Sequence, residues 1–360
     1  MGNTLFDPIK IGAIEAPNRI MVAPCTRLRC DSEFTPVPIM AEYYAQRVTS
    51  GLIISEATGI SQEGLGMPFA PGIWREDQVE AWKPVTEAVH KKDGRIICQL
   101  WHMGRLVPSA YNDGAAPISS SATTGPGKAY APDMSRQPFD EARPLEAHEV
   151  PRLLDDYALA AENAKKAGFD GVQLHAANGY LLDQFIRDGV NFRTDDYGGP
   201  IENRIRLLGE VTQRLIDVWG ADCTHVRLSP NGDSQGVNDS NPVETFTKAA
   251  GLLDGLGIAS LELREPPLDG TFGQGELPAI SPDIRKAFSR TLILNSDYDQ
   301  ERAEEEMAKG VADAISFGRP YIANPDLVER FKARAMLNKD DMKGWYGRDG
   351  VGYTDYPLMA

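Results

Sequence analysis

Apolar residues gather along the chain in eight short runs, at 20–24, 52–57, 96–101, 171–176, 224–229, 260–264, 292–295 and 314–318. Most are continuous rather than alternating, the pattern of strands buried on both faces. Between most of them the period lengthens to that of a helix. Residues 40–48 follow the first run and 80–91 precede the third. Residues 201–218 set apolar side chains at 201, 205, 208, 211, 215 and 218, with Pro200 suited to the first helical position. A charged stretch at 299–309 precedes the eighth run, and another helical stretch covers 326–336. Strand and helix in eightfold alternation predict an α/β fold of the (β/α)8 TIM-barrel type, one domain over 1–360. A doubly wound sheet would carry Gly-x-Gly-x-x-Gly after a strand, and no run is followed by one.

Two stretches break the alternation. Residues 5–15 alternate loosely around turn residues and predict a β-hairpin at the barrel bottom. Residues 104–150, after the third run, are rich in Pro, Gly, Ser and Ala with little periodicity. They read either as a cap over the catalytic mouth or as an inert surface excursion. An aromatic tail, Trp345-Tyr346 and then Gly352-Tyr353-Thr354-Asp355-Tyr356-Pro357, follows the last helical stretch.

Composition narrows the partners. With 37 basic and 52 acidic residues the net charge is −15, so the surface repels phosphate backbones and anionic lipid. That argues against nucleic-acid and membrane partners and leaves small molecules, with a homo-oligomer open. Cys25, Cys30, Cys98 and Cys223 form no Cys-x-x-Cys pair and no ligand cluster with the five histidines, which reads as reduced thiols and no metal. The first residues lack a charged-then-apolar leader, Phe6 breaks the myristoylation pattern, and no apolar run approaches membrane-spanning length. The expected location is cytoplasmic.

Chemistry collects at the carboxyl ends of the runs, which face the ligand in a parallel α/β fold. Residues 171–186 open as a strand and close as a helix with Leu181, Leu182, Phe185 and Ile186 on one side; His175, Asn178 and Tyr180 lie at the corner between. Other ends supply Ala23-Pro24-Cys25-Thr26-Arg27, Ser55-Glu56-Ala57-Thr58-Gly59, Gln99-Leu100-Trp101-His102, Arg227, Asn295-Ser296-Asp297 and Gly318-Arg319-Pro320. The loops after runs seven and eight offer backbone N–H groups, a Gly and an Arg where barrels often bind phosphate. A planar amide (Gln99), a cation (Arg227) and a hydroxyl (Thr26) suit the edge of a heteroaromatic ring. Joined, the two sites imply a phosphorylated planar cofactor.

Several ordered motifs go further: Asn18-Arg19-Ile20 with Ala23-Pro24-Cys25-Thr26-Arg27, Ser55-Glu56-Ala57-Thr58, Gln99-Leu100-Trp101-His102, and His175-Ala-Ala-Asn178-Gly-Tyr180. Val226-Arg227-Leu228-Ser229-Pro230, the stretch from Phe317-Gly318-Arg319-Pro320 to Asn324-Pro325, and Tyr353-Thr354-Asp355-Tyr356-Pro357 complete the series. From Leu5 to Pro357 the sequence resembles the old yellow enzyme family of FMN-dependent ene-reductases. The resemblance implies non-covalent FMN, reduced by NAD(P)H, and an activated alkene as second substrate in ping-pong turnover. It gives His175 and Asn178 the role of donors to the alkene's activating oxygen, and Tyr180 that of proton donor. It assigns Ala23, Pro24, Cys25, Thr26, Ala57, Gln99, Arg227, Asn295, Ser296, Asp297, Gly318 and Arg319 to the flavin. Thr26 would bond O4, Gln99 and Arg227 would meet the pyrimidine edge, and Gly318, Arg319 and residues 295–297 would hold the phosphate. Strand alternation would turn Cys25 away from the ring, as packing. Thr26, Trp101, Met67, Gln235, Phe272 and Tyr353 join the trio on the substrate side, although Trp101, Met67, Gln235, Phe272 and Tyr353 are equally at home as core. Two rival readings stand beside this one: a glycoside hydrolase using Glu56 and Glu262 on the same barrel, and a flavin-binding protein without turnover.

Overall fold

The computed structural model describes residues 4–271 and 273–359. Eight parallel strands close on themselves: β1 (Ile20–Val22), β2 (Leu52–Ile54), β3 (Ile96–Trp101), β4 (Val172–His175), β5 (Thr224–Leu228), β6 (Ser260–Arg264), β7 (Thr291–Asn295) and β8 (Ala314–Phe317). β8 pairs with β1, so the ring has no free edge, and the fold is a (β/α)8 barrel. Each apolar run overlaps one strand, the seventh strand beginning one residue ahead of its run.

Alternation along each strand sorts the core into an outer shell and an inner column. Ile20, Val22, Ile53, Ile96, Cys98, Leu100, Val172, Leu174, Val226, Leu228, Leu261 and Leu263 belong to the large cluster that also takes in the buried helix residues. Met21, Leu52, Ile54, Ile97, Ile293 and Ala314 belong to a separate cluster with Ile11, Ile14 and Ala16 of the N-terminal hairpin. That hairpin pairs Ile9–Ile11 with Ile14–Ala16, and Ala13 N donates to Asp222 O, just ahead of β5. A Cβ at Gly12 (φ +57°) would stand 2.0 Å from the Asp222 carbonyl oxygen, so only glycine turns there. The hairpin therefore plugs the amino end of the barrel with hydrocarbon. Toward the carboxyl end the inner positions become Gln99, Gln173, Arg227, Glu262, Asn295 and Ser316, all buried. The column turns polar where a ligand would enter.

Among the helices, Glu76–His90 buries Val79, Trp82, Val85 and Val89 and begins four residues before the expected 80–91. The predicted 201–218 helix is broken into Ile201–Arg204 and Arg206–Trp219. Val150–Lys166 and Pro242–Leu256 form long helices that the pattern had not singled out. The stretch 104–150 is not featureless. Ile118–Ser119 pairs in parallel with Arg143–Pro144, and Lys128–Tyr130 forms an antiparallel hairpin with Arg136–Pro138.

Candidate active site

A cleft of about 1280 Å3 opens at the carboxyl ends of the strands. Its wall includes Ala23, Pro24, Thr26, Met67, Asn178, Tyr180, Arg227, Gln235, Asn295, Ser296, Asp297, Gly318 and Arg319, all expected there, together with Cys25. Leu106, Lys128, Tyr130 and Phe139 of the 104–150 excursion line it too.

The corner after β4 is built by backbone geometry. Asn178 (φ 58°) and Gly179 (φ 77°) both adopt left-handed conformations, which Asn tolerates and Gly prefers. A Cβ on Gly179 would come within 2.2 Å of Ser234 O. Asn178 N donates to Ser229 Oγ at 2.7 Å, Gly179 N to Asp183 Oδ2 at 2.9 Å, and Gln235 Nε2 to Asn178 O at 3.0 Å. Asp183 is itself held by a fully buried ion pair to Arg187 at 2.7 Å. The loop after β5 and the helix Leu181–Ile186 thus fix the turn that carries the trio. The Tyr180 ring stands edge-on to Trp101 (4.9 Å, 85°) and to His175 (5.1 Å, 88°), which restricts where its hydroxyl can point. His175 and Trp101 are almost wholly enclosed behind it.

Burial fixes the protonation states. Desolvation, and then the like charge of Arg227, hold the His175 imidazole well below its usual 6.5. It is therefore neutral at pH 7, with one ring N–H to give. Desolvation pushes the Tyr180 phenol up from 10, so it keeps its proton.

Beneath the cleft the polar column is a connected network. Gln99 Nε2 donates to Gln173 Oε1 at 2.7 Å, and Gln173 Nε2 to Glu262 Oε2 at 2.9 Å. Ser316 Oγ donates to Glu262 Oε1 at 2.6 Å. Arg227 lies 3.6 Å from Glu262 through Nε and donates from Nη2 to Asn295 Oδ1 at 2.8 Å. Glu262 offsets the cost of burying that cation, so the core ion pair and the cleft-facing cation are the same group.

These residues fit FMN. Arg227 and Asn178 both line the cleft, and Arg227 Nε (3.6 Å from Glu262 Oε2) and Asn178 Oδ1 are buried without a hydrogen-bond partner among the described residues. At the other end, Gly318 leaves its backbone open: an added Cβ would crowd only Cys25 Sγ at 3.2 Å. Amide, guanidinium and hydroxyl at one end and Arg319 at the other match a flavin ring edge and a phosphate in their chemistry.

Four expectations need correction or comment. Tyr353 does not line the cleft: it is fully buried, stacked on Tyr43 (4.1 Å, 2°) with the Arg29 guanidinium 4.5 Å from its ring centroid. Trp345 and Tyr346 line the cleft instead. Cys25 is not turned away, because β1 ends at Val22 and strand alternation no longer applies beyond it; Cys25 and Thr26 both reach the cleft. Ala57, Gln99, Trp101 and His175 sit behind the cleft wall, with Tyr180 and Met67 packed against the cluster that holds Ala57 and Trp101. Phe272 lies outside the described residues. Among the cleft residues that were missed is Arg264, the last residue of β6, whose guanidinium is pushed down to about 10 by desolvation and by Arg227. Its signal was the end of the sixth apolar run.

The sequence profile of the NADH:flavin oxidoreductase / NADH oxidase family matches residues 4–338. In Oryza sativa subsp. japonica, 12-oxophytodienoate reductase 7 is 40% identical over 374 residues, covering 99% of this chain and 95% of that protein. The old yellow enzyme homologue from Zymomonas mobilis is 57% identical with a TM-score of 0.97, covering 99% of this chain and all of that one. Morphinone reductase is 41% identical with a TM-score of 0.95, covering 100% and 97% of the two chains. A further structure of morphinone reductase, in complex with tetrahydroNAD, is 41% identical with a TM-score of 0.93 over 99% and 98%. The chain belongs to the old yellow enzyme family of NADH:flavin oxidoreductases, enzymes of FMN and a nicotinamide reductant.

Proposed function

We propose that the protein is an ene-reductase that reduces the activated C=C bond of α,β-unsaturated carbonyl compounds or nitroalkenes. The observation that carries this reading is the corner after β4, where an amide and a protonated phenol line the flavin cleft and a neutral imidazole stands directly behind the phenol, ring centroids 5.1 Å apart. FMN, when bound, supplies the hydride, taken from NAD(P)H and passed to the alkene's β-carbon. His175 and Asn178 donate hydrogen bonds to the carbonyl or nitro oxygen, onto which charge moves as the bond is reduced. Tyr180 delivers its phenolic proton to the α-carbon, and Trp101 and His175 hold its ring for that transfer. Thr26 and Arg227 would hold the ring edge of the cofactor, with Gln99 behind the cleft wall, and Gly318, Arg319 and the backbone of residues 295–297 would hold its phosphate. The excursion at 104–150 contributes Leu106, Lys128, Tyr130 and Phe139 to one side of the cleft. Relatives named for reducing 12-oxophytodienoate and morphinone support the substrate class.

A glycoside hydrolase finds no support in the two carboxylates. Glu56 accepts from Arg27 N and Tyr44 Oη, and Glu262 is spent on Gln173, Ser316 and Arg227. The test is an anaerobic titration of the purified yellow protein. NADPH should bleach the flavin, and cyclohexenone should then restore its colour with one alkene reduced per flavin. Bleaching without reoxidation by the enone would leave a flavin oxidoreductase of another substrate class; no bleaching would leave a flavin carrier.

A further inference from the structure

The phosphate end of the cleft holds a carboxylate as well as a cation. Asp297 accepts from Thr271 N at 2.5 Å and from Thr271 Oγ1 at 3.1 Å, and it pairs with Arg319. Arg319 Nη2 also donates to Thr271 Oγ1 at 2.6 Å. Loops after β6, β7 and β8 therefore meet on one acidic side chain. The chain accepts an awkward backbone to put it there: Ser296 (φ 116°) and Asp297 (φ 51°) are consecutive non-glycine residues in positive-φ conformations. The Asp297 side chain is 10% exposed against 32% for Arg319, so the carboxylate is the better enclosed of the pair. As a staple between loops, an amide at 297 would serve Thr271 N equally well. The charge calls for a separate account.

We propose that Asp297 is an internal anion that competes with the FMN phosphate for Arg319 and so keeps the flavin's tail exchangeable. The proposal rests on reading residues 295–297 and 318–319 as the phosphate end. A phosphate and a carboxylate sharing one guanidinium repel each other, and a phosphate contact made through Arg319 Nη2 competes with the bonds that the same nitrogen gives to Asp297 and Thr271. Thr271 can retain Asp297 through two hydrogen bonds when Arg319 turns to the phosphate, which gives the displaced carboxylate a resting place.

The experiment measures flavin release from holoenzyme by the recovery of free-flavin fluorescence after dilution, for protein loaded with FMN or exchanged into riboflavin, which lacks the phosphate. Asp297→Asn keeps an acceptor for Thr271 N and removes the charge. FMN release should slow about tenfold while riboflavin release stays at the wild-type rate. Asp297→Gly suits the positive φ, also removes the charge, and should behave alike if the Asn variant folds poorly. Arg319→Ala should speed FMN release and leave riboflavin release alone. Faster FMN release in Arg319→Ala with no slowing in the Asp297 variants overturns the competition and leaves the phosphate site standing. Equal slowing for both flavins overturns it too, since the effect would then be a tighter loop. Unchanged FMN release in Arg319→Ala overturns the phosphate site and the competition with it.

Discussion

Glu56 sits two residues beyond the carboxyl end of β2, with its side chain directed to the loop that carries Thr26. Its carboxylate accepts from Arg27 N at 3.1 Å and from Tyr44 Oη at 3.3 Å, and it is 1% exposed. Burial outweighs these bonds and pushes its carboxyl up from 4.5 to about 7. In the unfolded chain the group loses its proton near 4.5. Between those two values the folded protein holds a proton that the unfolded one has released, so stability falls as pH rises. The contribution is complete below 4.5 and gone above about 7; a difference of 2.5 units at 1.36 kcal/mol each gives about 3 kcal/mol. Glu56→Gln retains an acceptor for Arg27 N and cannot titrate. Urea unfolding followed by far-UV circular dichroism, at fixed ionic strength, gives the unfolding free energy of each protein. The variant's stability relative to wild type should climb by about 3 kcal/mol from about pH 4.5 to about pH 7.5. A difference that stays flat within about 0.5 kcal/mol across that window would mean that Glu56 folds as a carboxylate, and the reasoning fails.

Three further perturbations address the corner after β4. His175→Ala removes one of two donors to the alkene's oxygen and should slow flavin reoxidation by an enone by about 10²–10³, read by stopped-flow absorbance; an unchanged rate contradicts the assigned role. Because its pKa is held well below 6.5, the wild-type rate should show no step near that pH that the Ala variant lacks. Tyr180→Phe should cut steady-state alkene reduction by about 10²–10⁴ while NADPH still bleaches the flavin, and equal loss in both half-reactions would point to misfolding instead of a missing proton. Gly179→Ala would force a Cβ to 2.2 Å from Ser234 O at φ +77°, and should destabilise the fold by about 2 kcal/mol or more in the same urea assay.

The barrel was legible because its outward-facing strand residues are apolar in every run, and the corner at 175–180 because three chemical groups interrupt a strand-to-helix pattern. What escaped notice depends on tertiary contacts. The hairpin of Lys128–Tyr130 and Arg136–Pro138 is mostly exposed, so no buried face imposes alternation on its residues. Cys25 was misjudged because the strand stops at Val22, an end that burial alone does not mark. Arg264 stood in plain view at a strand end. The aromatic tail carries both Tyr346 and Tyr353, and the expectation fell on Tyr353 alone. Which one enters is decided by the Tyr43 ring and the Arg29 guanidinium, which take Tyr353 into the core from elements about 310 residues earlier in the chain.

Attachment of that tail bears on how readily the mouth can be remodelled. Arg27 and Arg29 grip residues 344–352 through main-chain oxygens, those of Gly344, Trp345, Asp349, Val351 and Gly352. Since every peptide unit has a carbonyl, these anchors are indifferent to the identity of the residues they hold. Position 346 can exchange one side chain for another, trading bulk or polarity at the rim, while the strip bearing it remains moored. New selectivity is thereby open to single replacements in a segment whose docking they leave intact.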